Sequence, residues 1–114
     1  YSIVEHTAMT DTFSRKAVHR AADDRIALYD AFLALKTCEE MDAFLSDLCT
    51  PAEVRAFAER WAVARLLDEK SKSYREIALE AGASPTTVVR VARFLKEMPH
   101  QGYRLVLDRT HKKA

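Results

Sequence analysis

Basic side chains are concentrated toward the carboxyl-terminal end of the chain. Residues 70–114 carry 10 Lys and Arg against 4 Asp and Glu, whereas residues 1–69 carry 8 against 13. The net charge of +1 therefore conceals a basic end that suits binding to a polyanion. A tail that only aids solubility is the alternative, and Arg109, Lys112 and Lys113 fit it. The other seven basic residues lie in or beside predicted helices, which favours a polyanionic partner.

Between residues 70 and 93, these basic side chains are mixed with short polar ones in a pattern that suits contact with DNA. Lys70 and Lys72 suit contact with phosphates, and Arg75 suits a phosphate or a guanine at the groove edge. Thr86 and Thr87 offer hydroxyls to base edges or phosphates, and methyl groups to thymine. The candidate DNA contacts are Lys70, Lys72, Arg75, Ser84, Pro85, Thr86, Thr87, Val89, Arg90 and Arg93.

Catalytic and metal-binding patterns do not stand out in the sequence. The four histidines are scattered, and the two cysteines, Cys38 and Cys49, lack the CxxC spacing of metal and redox sites. No Ser/His/Asp grouping, phosphate loop or pair of carboxylates is recognisable. We therefore expect no catalytic residue, no metal site and no enzyme activity, and we expect both cysteines to be reduced core residues.

Composition and helix-start signals predict an all-α fold. There are two glycines and three prolines in 114 residues, and no alternating apolar run predicts a strand. Ser or Thr followed three residues later by Glu, or directly by Pro, marks helix starts. The sequence thus predicts six helices, beginning near Asp24, Thr37, Thr50, Ser73, Ser84 and Gln101, the last ending near Asp108.

These helices predict one domain over residues 24–108. An arm, or a first helix that frays, precedes it at 1–23, and a basic tail follows at 109–114. No apolar run reaches the roughly 18 to 20 residues of a membrane span, and no signal sequence is recognisable. We expect a cytoplasmic protein that does not contact a membrane.

Residues 73–95 predict a helix-turn-helix. Gly82 stands where a left-handed residue ends a helix, and Ala78 is the small residue required where the two helices cross. The positions that wedge such helices together are apolar: Ile77, Ala81, Ala83, Val88 and Val91. An ordinary hairpin of two core helices is the alternative, but the basic charge of the segment favours DNA binding.

The segment "LCTPAEVRAFAERWAVARLLDEKSKSYREIALEAGASPTTVVRVARFLK", Leu48 to Lys96, resembles the Trp repressor superfamily, in particular its YerC/YecD-like branch. The shared features are the Thr-Pro helix start, the Arg-Glu-apolar opening of the motif, the Gly-Ala turn and the Thr-x-x-Arg of the second helix. The resemblance covers about residues 24–108 and implies an intertwined homodimer. Wide apolar faces on short helices agree with a shared core. A two-fold dimer would read a palindromic operator through two helices roughly 34 Å apart.

The resemblance also implies a place for a ligand. In members that bind tryptophan, two arginines enclose the indole, and they correspond to Arg60 and Arg90. Those members have glycine directly after the second arginine, where this chain has Val91, and a small polar residue where it has Phe94. The larger side chains would fill the pocket made by Arg60, Arg90, Val91 and Phe94. We therefore expect no cofactor and no dependence on tryptophan.

Together these features predict a bacterial, sequence-specific DNA-binding transcriptional regulator that acts as a repressor and a homodimer. The alternative is an interaction module that docks another protein on the helix-turn-helix surface. Only contact with DNA phosphates releases counterions, so a steep dependence of duplex binding on salt would distinguish the two.

Overall fold

The computed structural model describes residues 3–111, with side chains from residue 16 onward. This part of the chain holds six α-helices and no strand, which confirms the predicted all-α fold. The helices are α1 (Ile3–Ala34), α2 (Cys38–Leu48), α3 (Pro51–Glu69), α4 (Tyr74–Ala81), α5 (Pro85–Lys96) and α6 (Gly102–His111). None of these described helices is long and apolar enough to cross a membrane.

The first and last helices are longer than the sequence signals indicate. Helix α1 includes residues 3–23 and continues past Asp24 without a break, because no proline or glycine interrupts this segment. Helix α6 continues to His111, so Arg109 lies on a helix and not in a tail. Residues 112–114 of the predicted tail lie outside the described residues, and the domain limits themselves stay a prediction.

Two predicted capping boxes hold the starts of α3 and α4. The backbone N–H of Glu53 donates to Thr50 Oγ1 at 3.2 Å, and Thr50 N–H donates back to Glu53 Oε1 at 2.8 Å. The Ser73–Glu76 pair repeats this exchange at 3.2 and 2.9 Å. The backbone N–H groups of Thr50 and Ser73 hold the pKa of Glu53 and Glu76 below the usual range.

The start of α2 departs from the sequence predictions in two ways. Glu40 N–H donates to Thr37 Oγ1 at 3.1 Å, but the Glu40 carboxylate accepts from Lys36 N–H, at 2.8 Å, and not from Thr37. Cys38 is exposed in the first turn and Cys49 is half-buried, so the expectation that both are core residues is wrong. Cys38 is exposed because the first turn of α2 lies at the end of the helix, where few neighbouring side chains cover it.

Residues 1–45 form one compact unit. The rings of Phe32 and Phe44 meet edge to face, with centroids 5.5 Å apart. None of its described side chains is buried, and Leu33 is 82% exposed. Other large apolar side chains of α1 are also exposed: Val18, Ile26 and Tyr29. This unit therefore has apolar surface that its own chain leaves in contact with water.

Residues 46–114 form the second unit, which has a core of its own. Helix α3 packs against α4, α5 and α6, and α5 also packs against α4 and α6. The buried residues are Val63, Ala64, Leu67, Ile77, Ala78, Val88, Val91, Ala92, Leu95 and Leu107. Four of these, Val63, Ile77, Val88 and Val91, are completely enclosed.

Helices α4 and α5 and the turn at Gly82 make the helix-turn-helix predicted for residues 73–95. Gly82 has φ +66°, and Ala83 N–H donates to Ala78 O at 3.0 Å, which closes the end of α4. Among the predicted wedge residues, Ala81 and Ala83 pack against the core, and the others belong to it. Local signals thus give both helices their ends and their buried faces.

We expect Gly82→Ala to lower the free energy of unfolding by roughly 1 to 2 kcal/mol, because an L-residue is strained in the left-handed region. A Cβ at Gly82 would meet no atom within 4 Å, so the effect isolates backbone strain. Urea unfolding at one fixed chain concentration measures it.

Gly102→Ala is the matched control for this measurement. A methyl group at Gly102 would also meet open space, but Gly102 lacks a positive φ. Equal effects of the two substitutions would contradict the assignment of strain to Gly82.

Candidate nucleic-acid interface

Helix α5, which we call the reading helix, has one buried and one outward face. Its buried residues are Val88, Val91, Ala92 and Leu95. The spacing of i, i+3, i+4 and i+7 recurs on the other side, where all residues are exposed: Thr86, Val89, Arg90 and Arg93. The core therefore fixes which side chains of the reading helix face outward.

The start of the reading helix uses two of its three hydroxyls within the chain. Ser84 is the N-cap and accepts a hydrogen bond from Thr87 N–H at 3.1 Å. The hydroxyls of Ser84 and Thr87 are also hydrogen-bonded, at 2.9 Å, and Thr87 is half-buried. Pro85 occupies the first helical position and is exposed. Among these predicted DNA contacts, Thr86 presents an exposed hydroxyl with no partner in the described residues.

The two arginines of the outward face lie in different surroundings. The guanidinium carbon of Arg90 is 4.3 Å from the centre of the Phe94 ring, a cation–π contact one turn along the helix. Arg93 is exposed, and no ion pair holds it within the described part of the chain. Arg93 can therefore reach a phosphate without giving up an internal partner, whereas Arg90 is held against the protein.

The predicted phosphate contacts near the start of α4 also differ in their surroundings. Lys72 Nζ lies 3.3 Å from both Glu69 and Glu80, and hydrogen bonds to Glu80 and Glu69 raise the pKa of Lys72. Lys70 ends α3 in the left-handed conformation, with φ 60°, and is exposed. Arg75 is exposed on α4. The charge of Lys72 is shared with two carboxylates, while Lys70 and Arg75 point to solvent.

Sequence reasoning missed Tyr74 as part of this surface. Lys96 Nζ lies 3.4 Å from the Tyr74 hydroxyl and 5.7 Å from the centre of its ring. These residues are 22 positions apart, and no spacing rule connects them. The pair adds one cation and one hydroxyl beside the helix-turn-helix.

A cleft of about 390 Å³ adjoins this surface, and most of its charges are already paired. It is lined by Lys70, Lys72, Lys96 and Arg104 together with Asp68. Arg104 lies 2.9 Å from Asp68 and 3.0 Å from Asp108, and its hydrogen bond lowers the pKa of Asp68. Carboxylates thus pair with Lys72 and Arg104, whereas Lys70 and Lys96 have no carboxylate partner among the described residues.

Beside the reading helix, α3, α5 and α6 line an open groove of about 500 Å³, which we call the aromatic groove. Three of the four residues of the predicted ligand pocket, Arg60, Arg90 and Phe94, line this groove, whereas Val91 is enclosed in the core and does not line it. The structure adds residues that the sequence did not indicate: Trp61, His100, Gln101, Gly102, Tyr103 and Val106. They come from two separate segments, α3 and residues 100–106, so no spacing signal could have joined them.

Stacked side chains occupy much of the wall of the aromatic groove. Phe94 stacks on His100 with ring centres 6.2 Å apart, while its other contact is the Arg90 guanidinium. Trp61 and Tyr103 stack at 6.4 Å. Arg90 and Phe94 therefore contact each other, and the groove is bounded by groups of the chain itself.

Comparison with known proteins identifies the family. The sequence profile of the Trp repressor protein family matches residues 25–111. The chain belongs to the Trp repressor family. This confirms the resemblance seen in the sequence, and a family of DNA-binding regulators agrees with the expectation that the chain is not an enzyme.

Individual relatives agree with the family. The chain is 42% identical over 82 residues to the uncharacterized protein YerC of Bacillus subtilis (strain 168), covering 72% of this chain and 77% of YerC. A crystal structure of a Trp repressor-type protein from Staphylococcus aureus has a TM-score of 0.71 and 37% identity, and the match covers 80% of this chain and 87% of that one. A TrpR-like protein from Eubacterium eligens ATCC 27750 has a TM-score of 0.70 and 36% identity over 75% and 86% of the two chains.

Proposed function

We propose that the protein is a sequence-specific DNA-binding transcriptional regulator, a cytoplasmic repressor that binds a palindromic operator through its helix-turn-helix. The observation that carries this proposal is the outward face of the reading helix, which a fully packed opposite face holds in place. Membership of the Trp repressor family supports it. Helices of this kind enter the major groove with the residues near their amino-terminal end.

The proposal includes a homodimer, because one reading helix contacts only half of a palindromic site. The apolar side chains of α1 support a second copy of the chain as the partner, since large exposed apolar surfaces mark interfaces. Two copies related by a two-fold axis would present their reading helices about one turn of the duplex apart.

The proposal does not include tryptophan as a corepressor. Phe94 and Arg90 contact each other in the aromatic groove, and Val91 supports the reading helix from the core. A reading helix held by its own side chains needs no ligand to take up its position. We therefore expect wild-type protein to bind its operator in the absence of tryptophan.

A protein-docking role for the same surface is the second candidate, and one observation favours it. Leu79, on the solvent side of α4, is 78% exposed. Binding of duplex DNA that weakens steeply as salt rises would support the first proposal. Salt-insensitive or absent duplex binding would favour the second.

We expect Arg93→Ala to weaken binding to every duplex and to reduce the salt slope by about one per protomer, because one phosphate contact is lost. Thr86→Ala should instead reduce the preference for the operator and leave the slope unchanged. Lys72→Ala should cost less than Arg93→Ala, because Glu69 and Glu80 already share the charge of Lys72. Fluorescence anisotropy over a series of salt concentrations measures all three variants.

Arg65→Ala is the matched control, since Arg65 is an exposed arginine on α3 and not on the helix-turn-helix. It should keep the wild-type slope. If Arg93→Ala and Thr86→Ala both bind with unchanged affinity and slope, the reading helix is wrongly assigned.

A further inference from the structure

The base-facing end of the reading helix is less polar than its sequence suggests. The hydroxyls of Ser84 and Thr87 are hydrogen-bonded to each other at 2.9 Å, and Ser84 Oγ also accepts from Thr87 N–H at 3.1 Å. Around them stand the exposed Pro85 ring, the Thr86 side chain and Val89, which is 57% exposed. Thr86 and Val89 are the first two outward residues of α5. Apart from the Thr86 hydroxyl, they present only carbon atoms to the solvent.

The cations of the same face lie farther along the helix. Arg90 is drawn against Phe94 at 4.3 Å, toward the aromatic groove, and Arg93 follows nearly one turn later. The residues near the amino-terminal end of a reading helix reach deepest into the major groove. Apart from the Thr86 hydroxyl, the side chains that reach deepest are therefore apolar, and the charged ones remain closer to the phosphates.

We propose that the reading helix selects thymine through the C5-methyl group, which packs against Val89, the Pro85 ring and the Thr86 methyl. This inference rests on the proposed DNA-binding function and names what the helix reads. In the major groove, the base edges carry hydrogen-bond donors and acceptors, whereas the thymine C5-methyl group is apolar. An exposed valine contributes no hydrogen bond, so its favourable partner in the groove is a methyl group.

The test uses a duplex that the whole 114-residue chain selects from a random pool. Each thymine is replaced in turn by deoxyuridine, which removes the methyl group and keeps every hydrogen-bonding group. At one or more positions in each half-site, wild-type affinity should fall about fourfold, the effect of losing one buried apolar carbon. Val89→Ala should bind the thymine duplex more weakly and lose its sensitivity to deoxyuridine at the same positions.

Leu105→Ala removes a similarly exposed leucine, 50% exposed, from α6 and should retain the full sensitivity to deoxyuridine. The protein could select a sequence and yet bind the deoxyuridine and thymine duplexes with equal affinity at every position. That result overturns this inference and leaves the proposed function intact. A Val89→Ala variant that keeps the whole fourfold effect overturns it as well. Failure to select any sequence from the pool overturns the proposed function, and the inference with it.

Discussion

Leu33→Glu is expected to convert the proposed homodimer into a monomer. Ile26, Tyr29 and Leu33 recur at helical spacing on one side of α1 and are 57%, 51% and 82% exposed. In a dimer they would be buried, and a glutamate placed among them would be an unpaired buried charge costing roughly 3 kcal/mol or more. That corresponds to a dimer weakened about 100-fold or more. Sedimentation at micromolar chain concentration measures the change.

Ala27→Glu is the control for added charge, because Ala27 is exposed on α1 but off the side that carries Ile26 and Leu33. This variant should sediment like wild type, at about twice the chain mass. A wild-type protein that is a stable, folded monomer at the same concentration would contradict the proposed dimer.

The same substitution separates dimerisation from DNA contact. Residues 46–114 have their own core, so the helix-turn-helix should stay folded when α1 is altered. Leu33→Glu should then bind an isolated half-site as wild type does and lose most of its affinity for the full palindrome, because the two half-sites are no longer engaged together. Circular dichroism checks that the helix content is kept.

The helix-turn-helix could be predicted because its determinants are close together in the sequence. Ser73 and Glu76 exchange hydrogen bonds three residues apart, and Gly82 takes its positive φ at the end of the same helix. The outward face of α5 follows from helical spacing once Val88 and Val91 are recognised as core residues. Such features depend on neighbours along one or two turns, which a single sequence displays.

The details of the candidate site could not be predicted, because they depend on contacts between distant segments. Lys96 contacts Tyr74 of α4, 22 positions away, and Trp61 of α3 stacks on Tyr103 of α6. Lys70 takes a left-handed conformation that sequence rules assign to glycine. Helical spacing indicates which side chains face outward, but it does not indicate which of them another part of the chain already engages.

Val91→Gly is expected to lower the free energy of unfolding by roughly 3 kcal/mol, from the loss of buried carbons and of helix propensity. Val91 is completely enclosed in the core and does not line the aromatic groove. Its removal should therefore create a cavity inside the unit and not a binding site for tryptophan. Urea unfolding and calorimetric titration with L-tryptophan test the two parts of this expectation.

Val89→Gly separates the cavity from the backbone effect, because Val89 lies on the same helix but is 57% exposed. It should cost only roughly 0.5 kcal/mol, the difference in helix propensity between valine and glycine. Neither variant, nor wild type, should give saturable heat with millimolar tryptophan, since we expect the contact between Phe94 and Arg90 to be kept in both variants. If Val91→Gly were as stable as Val89→Gly and bound tryptophan tightly, Val91 would occupy the ligand space and not the core. If wild type needed tryptophan to bind DNA, the aromatic groove would be a corepressor site despite Phe94.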